Sequence, residues 1–183
     1  MTEFYLDFET LGVNPEYDRI ITIQYQQVDT RTGAPKGPLT ILKEWETSER
    51  EILKDFLDIL NPDNVWDFIP IGYNLRFELY FLQARFRKTL KLELSNEWLY
   101  YNLPRVDIRS ILVMMNEGQF KGATLDWFID RDTDSNEIPN WYEGKEYGKI
   151  EAYIEDETKS FLHAYQFMKS KLPPLFRAYR PLP

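Results

Sequence analysis

Two acidic side chains interrupt an apolar segment near the start of the chain. Asp7 and Glu9 follow the run Phe4-Tyr5-Leu6 and are separated by one residue. Because alternate side chains of a β-strand point to the same face, both carboxylates would project from one side of a strand. Buried carboxylates at this spacing repel each other and lose hydration unless a cation lies between them, so they predict a site for Mg²⁺ or Mn²⁺. A solvated strand edge is the alternative explanation of the pair.

A further acidic residue ends the segment Gly72-Tyr73-Asn74-Leu75-Arg76-Phe77-Glu78. We predict a strand over 66–71 and a helix over 77–87, which puts this segment at a junction between strand and helix. Ligands of α/β sheets tend to bind at the carboxyl ends of strands, and a helix start favours anionic or metal-bound groups. Glu78 therefore lies where a metal ligand is expected, although a first-turn glutamate can also simply complement the helix dipole.

The last long helix is predicted over 150–172 and carries consecutive acidic residues. The helical register indicates which of them faces the same side as the other candidate site residues. Advancing ~100° per residue from Ile154 puts the apolar side chains within about 40° of one line. Glu157 lies about 60° from that line, whereas Asp156 lies about 160° away and is expected to face solvent. Tyr153 precedes Glu157 by one turn on the same flank, so both can face one site. The apolar line is predicted to be the buried stripe of the helix and consists of Ile150, Ile154, Phe161, Tyr165, Met168 and Leu172.

The composition of the chain leaves carboxylate chemistry as the main option. With 183 residues, 43% of them hydrophobic, the chain fits one domain of residues 1–183 with its own core. It has no cysteine and one histidine, which excludes thiolate chemistry and a multi-histidine zinc site. Because it has neither an apolar run of bilayer length nor a secretory signal, we expect a cytoplasmic protein without membrane association.

The net charge of −8 argues against a protein that coats nucleic acid by electrostatics alone. It does not exclude an enzyme that acts on a strand end, because such an enzyme contacts few phosphates. Basic residues recur from residue 76 onward and form either a rim for a phosphate backbone or an ordinary solvated surface. They are Arg76, Arg85, Arg87, Lys88, Lys91, Arg105, Arg109, Lys121, Arg177 and Arg180.

Alternating strands and helices must position these residues. Strands over 4–8, 20–27 and 39–45, with a turn rich in Gly and Pro over 30–38, predict an antiparallel meander. Together with the strand over 66–71 and the intervening helices, they predict the α/β fold class, with helices packed on a mixed sheet.

The remaining segments are predicted to be mostly helical. The first helix has Thr47 or Ser48 as its N-cap and ends at Asn61-Pro62, and further helices are expected over 108–116 and around 125–129. A polar loop follows over 131–148. Pro173-Pro174 is expected to end the last helix and to begin a Pro-rich C-terminal tail over 173–183.

In order and spacing, these segments resemble the DEDD-type 3′-to-5′ exonucleases that carry tyrosine in their third motif. That family has a ribonuclease H-like fold and includes the proofreading domains of family B DNA polymerases. Its Asp-x-Glu motif is similar to Asp7-Phe8-Glu9, and its Asn-x-x-Phe/Tyr-Asp motif to Asn74-Leu75-Arg76-Phe77-Glu78. Its Tyr-x-x-x-Asp motif is similar to Tyr153-Ile154-Glu155-Asp156-Glu157. Between its second and third motifs the family often has an Asp-started helix and a short helix that contains Leu-Asp, and Val106-Asp107-Ile108 and Ala123-Thr124-Leu125-Asp126 look like these.

The resemblance implies hydrolysis of phosphodiester bonds by two Mg²⁺ or Mn²⁺ ions at the 3′ ends of single-stranded or frayed DNA or RNA. In that scheme Asp7 bridges both ions, Glu9 and Glu157 complete the first metal site, and Glu78 holds the second ion. Tyr153 orients the attacking water.

Four further residues are expected to contact the terminal nucleotide, with an apolar side chain among them packing against its base. They are Thr10, Leu11, Asn74 and Phe77. The chain departs from the family at Glu78 and Glu157, where the family has Asp, and Glu is about 1.3 Å longer. The alternative function is therefore a catalytically weakened ribonuclease H-like module that binds nucleic acid or a protein partner.

Overall fold

The computed structural model describes residues 1–125 and 135–179. Within these ranges the strands are β1 (Glu3–Thr10), β2 (Ile20–Val28), β3 (Thr40–Lys43), β4 (Ile69–Gly72) and β5 (Val106–Asp107). They form one mixed sheet with the order β3-β2-β1-β4-β5. Strands β1, β2 and β3 pair antiparallel, whereas β4 runs parallel to both β1 and β5. The predicted α/β class with a three-strand meander is confirmed.

Helices lie on both faces of this sheet. In the described ranges they are α1 (Glu49–Leu60), α2 (Arg76–Arg85), α3 (Ile108–Met115), α4 (Ile138–Glu143) and α5 (Tyr147–Tyr179). Ser48 is the N-cap of α1, and its side chain accepts a hydrogen bond from the backbone N–H of Glu51. The helix ends at Asn61, which adopts the left-handed conformation. No helix in the described ranges is long and apolar enough to cross a bilayer.

The alternation of side chains along β1 divides the core between the two faces. Phe8 packs edge-on against Phe56 of α1, with ring centroids 5.8 Å apart. On the opposite face, Tyr5 packs against Phe161 of α5 at 4.8 Å. Asp7 and Glu9 share the face of Tyr5. The acidic pair is therefore covered by α5.

Helix α5 extends further than predicted, and Pro173 and Pro174 lie inside it. The fixed φ of proline is compatible with a helix, and the loss of two backbone N–H donors costs less where water can solvate the freed carbonyl groups. The segment is open to water, since Leu172 is 38% exposed and Leu175 is 57% exposed. Both the predicted helix end and the burial of Leu172 are wrong, and the C-terminal tail is helical as far as Tyr179.

The predicted polar loop over 131–148 is also wrong where the structure describes it. A short 3₁₀ turn, Ser135–Glu137, leads into α4, whose Ile138 is buried and whose first turn contains Pro139. A proline there fits, because the first turn of a helix needs no intrahelical N–H donor. Residues 131–134, the remainder of the loop, lie outside the described residues. The predicted helix around 125–129 also lies outside them, Asp126 included, except for Leu125, and so does Arg180.

Smaller differences concern the ends of elements. The strand predicted over 39–45 stops at Lys43 and continues as a 3₁₀ turn, Glu44–Glu46, and the one predicted over 66–71 is observed as Ile69–Gly72. Helix α2 continues as a π-helical turn, Phe86–Leu90. The two residues of β5 are too few for a sequence pattern to reveal.

Candidate active site

Three of the predicted acidic residues come together at the carboxyl end of β1. Asp7, Glu9 and Glu157 each offer a carboxylate oxygen that lies within 4.8 Å of the other two. Asp7 and Glu9 come from one face of β1, and Glu157 comes from α5, which crosses that face. Residues 148 positions apart therefore converge on one site.

The orientation of α5 puts Glu157 and not Asp156 at this site. Glu157 is half-buried beside Asp7, whereas Asp156 is exposed and pairs with Lys159, Oδ1 to Nζ, at 2.9 Å. Ile154 and Phe161 are fully buried against the sheet, in agreement with the predicted apolar line. The helical register alone thus distinguishes the two neighbouring acids.

Glu78 reaches the same region from the turn after β4. Gly72 ends β4 so close to β1 that a Cβ atom there would lie 2.8 Å from the carbonyl oxygen of Leu6. Asn74 then adopts a φ of 63°, a left-handed conformation that asparagine tolerates, and turns the chain into α2. Glu78 is buried in the first turn of α2, and its Oε2 atom has no hydrogen-bond partner among the described residues.

A residue that the sequence analysis did not select holds the acidic pair in place. Gln24 of β2 is fully buried, and its Nε2 donates to Asp7 Oδ2 at 2.9 Å and to Glu9 Oε1 at 3.5 Å. Its Oε1 accepts a hydrogen bond from Thr22 Oγ1 at 2.9 Å, which fixes the orientation of the amide. The available signal was the series Thr22, Gln24 and Gln26, polar at every second position of an apolar strand.

Desolvation and mutual repulsion disfavour ionisation of the clustered acids. Burial, and then the charge of Glu157, raises the pKa of Asp7 to about 8, against a partly compensating hydrogen bond from Gln24. Burial, and then the charge of Asp7, raises the pKa of Glu9 and of Glu78 well above the usual range. The protein therefore brings more acidic groups together here than it can keep ionised by itself.

The predicted tyrosine lies one turn before Glu157. Tyr153 is buried with Ile21 and Ile138, and its ring centroid lies 6.4 Å from that of Trp141 in α4. The short helix that the sequence analysis missed thus packs against the predicted third motif.

The four residues predicted to contact a terminal nucleotide are divided among separate cavities. Thr10 and Phe77 line a cavity of about 290 Å³ that also contains Glu9. Leu11 lines a different one, of about 440 Å³, beside Tyr142. Asn74 is engaged by the protein, because its backbone N–H donates to Asp107 Oδ1 at 2.9 Å and its Oδ1 accepts from Arg109 at 2.7 Å.

A buried ion pair anchors the segment that follows β1. Arg85 of α2 binds Glu49 of α1 through two hydrogen bonds, of 2.8 and 2.6 Å. Glu49 also accepts the backbone N–H of Ile20 at 3.0 Å, and Arg85 also donates to the carbonyl of Pro15 at 3.2 Å. The two helices therefore hold the middle of the segment between β1 and β2, at Pro15, and its junction with β2, at Ile20.

The donor set fits hard divalent cations. Carboxylate oxygens are the ligands that Mg²⁺ and Mn²⁺ prefer, and the unpartnered Oε2 of Glu78 supplies a further buried acceptor. A cation would also offset the burial and the mutual repulsion that raise the pKa values of these acids.

A sequence profile of the RNase_H superfamily matches residues 4–166. The match spans most of the chain, and the chain belongs to this superfamily. No curated protein sequence matches the chain significantly.

Solved structures of exonuclease I have a similar fold. The zinc-bound E. coli ExoI complex with single-stranded DNA has a TM-score of 0.64 at 14% identity, over 97% of this chain and 42% of that one. A product-bound exonuclease I gives 0.61 at 13% identity, over 97% and 45%. E. coli exonuclease I with a dT13 oligonucleotide gives 0.59 at 13% identity, over 97% and 43%. The chain spans less than half the length of these proteins, and the likeness is one of fold.

Proposed function

We propose that this chain is a metal-dependent 3′-to-5′ exonuclease that hydrolyses phosphodiester bonds at nucleic-acid 3′ ends. The observation that carries the proposal is the convergence of Asp7, Glu9 and Glu157, whose carboxylate oxygens lie within 4.8 Å of one another in a superfamily fold. Glu78 adds a fourth acid, which is buried. The solved E. coli exonuclease I complexes with single-stranded DNA and with dT13 support the choice of substrate.

The proposed ligands divide two divalent cations between them. Asp7, Glu9 and Glu157 would hold the first ion, and Asp7 and Glu78 the second. When bound, such ions lower the pKa of the attacking water and stabilise charge on the attacking and leaving oxygens. Mg²⁺ or Mn²⁺ is proposed because every donor is a carboxylate.

The protein side chains supply positioning around these ions. Gln24 holds Asp7 and Glu9 at a fixed separation through its amide hydrogen bonds. Tyr153, one turn before Glu157, is proposed to orient the attacking water. Thr10 and Phe77 are proposed to contact the terminal nucleotide, because both line the cavity beside Glu9.

A second function is a module that retains nucleic-acid or protein binding with weakened catalysis. It is favoured by the glutamates at Glu78 and Glu157, where the resembling exonucleases carry the shorter aspartate, because a displacement near 1 Å can cost ~100-fold in rate.

Turnover of end-labelled DNA and RNA oligonucleotides with Mg²⁺, Mn²⁺ or EDTA tests the proposal. We expect hydrolysis with either metal and none with EDTA, and Mn²⁺ should support at least as much hydrolysis as Mg²⁺ because Mg²⁺ demands near-ideal octahedral geometry. Binding of these oligonucleotides without turnover would favour the second function, and equal cleavage in EDTA would contradict both.

A further inference from the structure

A cleft of about 770 Å³ opens beside the candidate active site, and Phe77 is one of the residues that line it. Phe77 lines both this cleft and the cavity that contains Glu9. The two spaces are therefore neighbours that share one aromatic residue. Four of the residues that line the cleft are arginines or tyrosines, and we call them the cleft set: Arg76, Tyr80, Tyr100 and Arg105.

Two arginines of the cleft set are available to bind an anion. Arg76 is exposed, and no carboxylate among the described residues pairs with it. Arg105 is also exposed and donates to the carbonyls of Leu99 and Tyr100 at 3.1 and 3.4 Å, which orients its guanidinium without neutralising it. In a chain with a net charge of −8, two such cations in one cleft favour a polyanionic ligand.

Aromatic rings accompany these charges. Tyr80 is 50% exposed and lies one helical turn after Arg76, so the two side chains share a face of α2. Tyr100 is half-buried and packs against the main hydrophobic core, which gives the cleft a firmly held second ring. Accessible aromatic rings beside arginines form an arrangement on which unpaired bases stack while arginines hold their phosphates.

The acidic residue in the cleft does not oppose such a ligand strongly. Asp107 lines the cleft, but its Oδ1 accepts the backbone N–H of Asn74 at 2.9 Å and that of Arg109 at 3.0 Å. Its charge is thus partly balanced by the start of α3.

We infer that the cleft set binds the single strand of DNA or RNA on the 5′ side of the nucleotide at the acidic site. The inference rests on the proposed function for its polarity and deepens it by assigning the path of the strand. Arg76 and Arg105 contact phosphates, and Tyr80 and Tyr100 stack on bases. Neither tyrosine nor Arg105 belongs to the acidic site itself.

Equilibrium binding of fluorescent dT oligonucleotides of three to twelve nucleotides tests this path. It is measured by anisotropy in EDTA, so that the result does not depend on hydrolysis. We expect affinity to rise with length, and Tyr80→Leu to weaken binding of the longer strands at least ~5-fold, the lower end expected for one lost base stack. Arg76→Gln should weaken binding and reduce the slope of log K against log salt by about 0.7, the value for one lost phosphate contact to a single strand.

Matched exposed residues at the other end of the sheet provide controls. Trp66 is 51% exposed near the start of β1, and Arg31 is exposed in the turn after β2. Trp66→Leu and Arg31→Gln should each leave the affinity within about twofold and the salt slope unchanged. If they weaken binding as much as the cleft variants, or if the cleft variants bind like the wild type, the proposed path is wrong.

Photocrosslinking distinguishes failure of the path from failure of the enzyme. With 5-iodouracil at each of the first five positions from the 3′ end, we expect crosslinked peptides to contain Tyr80 or Tyr100. Crosslinks that map only outside the cleft would overturn the path even if the chain hydrolyses DNA. Crosslinks to Tyr80 or Tyr100 in a protein that never hydrolyses DNA would support the path and contradict the exonuclease.

Discussion

Gln24 Nε2 lies 2.9 Å from Asp7 Oδ2, across the antiparallel pair in which these two residues are direct partners. One amide thereby holds a carboxylate whose neighbours Glu9 and Glu157 repel it. Gln24 is itself held by Thr22, so the hydrogen bond is oriented before any cation binds. The arrangement resembles the outer shell of a metal site, in which hydrogen bonds orient the ligands.

Replacing Gln24 by leucine should therefore weaken metal binding. The variant keeps a similar volume but loses the donor to both acids, and we expect a loss of ~10–100-fold in Mn²⁺ affinity and turnover. Gln26→Leu is the matched control, because Gln26 is buried on the same strand but donates to the carbonyl of Gly37. Titration calorimetry with Mn²⁺ measures the difference. Equal affinity in the two variants would show that Gln24 does not position the acids.

The stability of the metal-free protein should depend on pH in a defined direction. The pKa of Asp7 is raised from 3.8 to about 8 in the folded protein. Between these values the folded state binds more protons than the unfolded state, so the free energy of unfolding should fall as pH rises from about 4 to about 8. Urea denaturation in EDTA at several pH values measures this slope.

Asp7→Asn should reduce that slope and leave the metal-free protein at pH 8 as stable as the wild type or more stable, because one repelling charge is gone. Asp156→Asn is the exposed control and should retain the wild-type slope. A variant at Asp7 that unfolds readily at every pH would instead make Asp7 a structural residue.

Substitutions at the third motif test the orientation of α5. Glu157→Gln should lose most catalysis, whereas Asp156→Asn should lie within ~0.5 kcal/mol of wild-type stability and keep its activity. Tyr153→Phe should slow turnover and leave metal affinity largely intact, since its hydroxyl is assigned to the water. Normal activity of Glu157→Gln with inactivity of Asp156→Asn would reverse the assignment.

The Glu157→Asp variant tests whether the backbone has adjusted to the longer side chain of glutamate. Retained activity would mean that the site tolerates either reach, and lost activity would mean that α5 lies at the distance glutamate requires. In both cases the metal affinity should be measured alongside the rate, because a shorter ligand can reduce one without the other.

The buried pair of Glu49 and Arg85 should dominate the stability of the segment after β1. Glu49→Gln leaves Arg85 buried without a countercharge and should cost about 3–5 kcal/mol in the free energy of unfolding. Glu51→Gln removes the exposed partner of Lys54 and should cost at most ~1 kcal/mol. Urea denaturation compares the two. If Glu49→Gln also costs at most ~1 kcal/mol, the buried pair is not needed for stability.

The parts of the fold with strong periodicity could be predicted from the sequence. The alternation in β1 put Asp7 and Glu9 on one face, and the apolar line of α5 distinguished Glu157 from Asp156. Both follow from local geometry, in which two or four residues suffice to define a direction.

Features that depend on long-range pairing could not be predicted in this way. The contact of Gln24 with Asp7 requires the register of β1 against β2, which shifts by one residue between Glu9 and Thr10. The buried pair of Glu49 and Arg85 joins two helices and has no sequence signature. Proline usually ends a helix, yet α5 continues past Pro173 in an exposed segment.

The most direct test of the proposed exonuclease is the product pattern from a 5′-labelled single-stranded oligonucleotide in Mn²⁺. We predict a ladder of labelled fragments that shortens one nucleotide at a time from the 3′ end, and no products with Asp7→Asn. Internal cuts, shortening from the 5′ end, or an Asp7→Asn variant as active as the wild type would contradict the proposal.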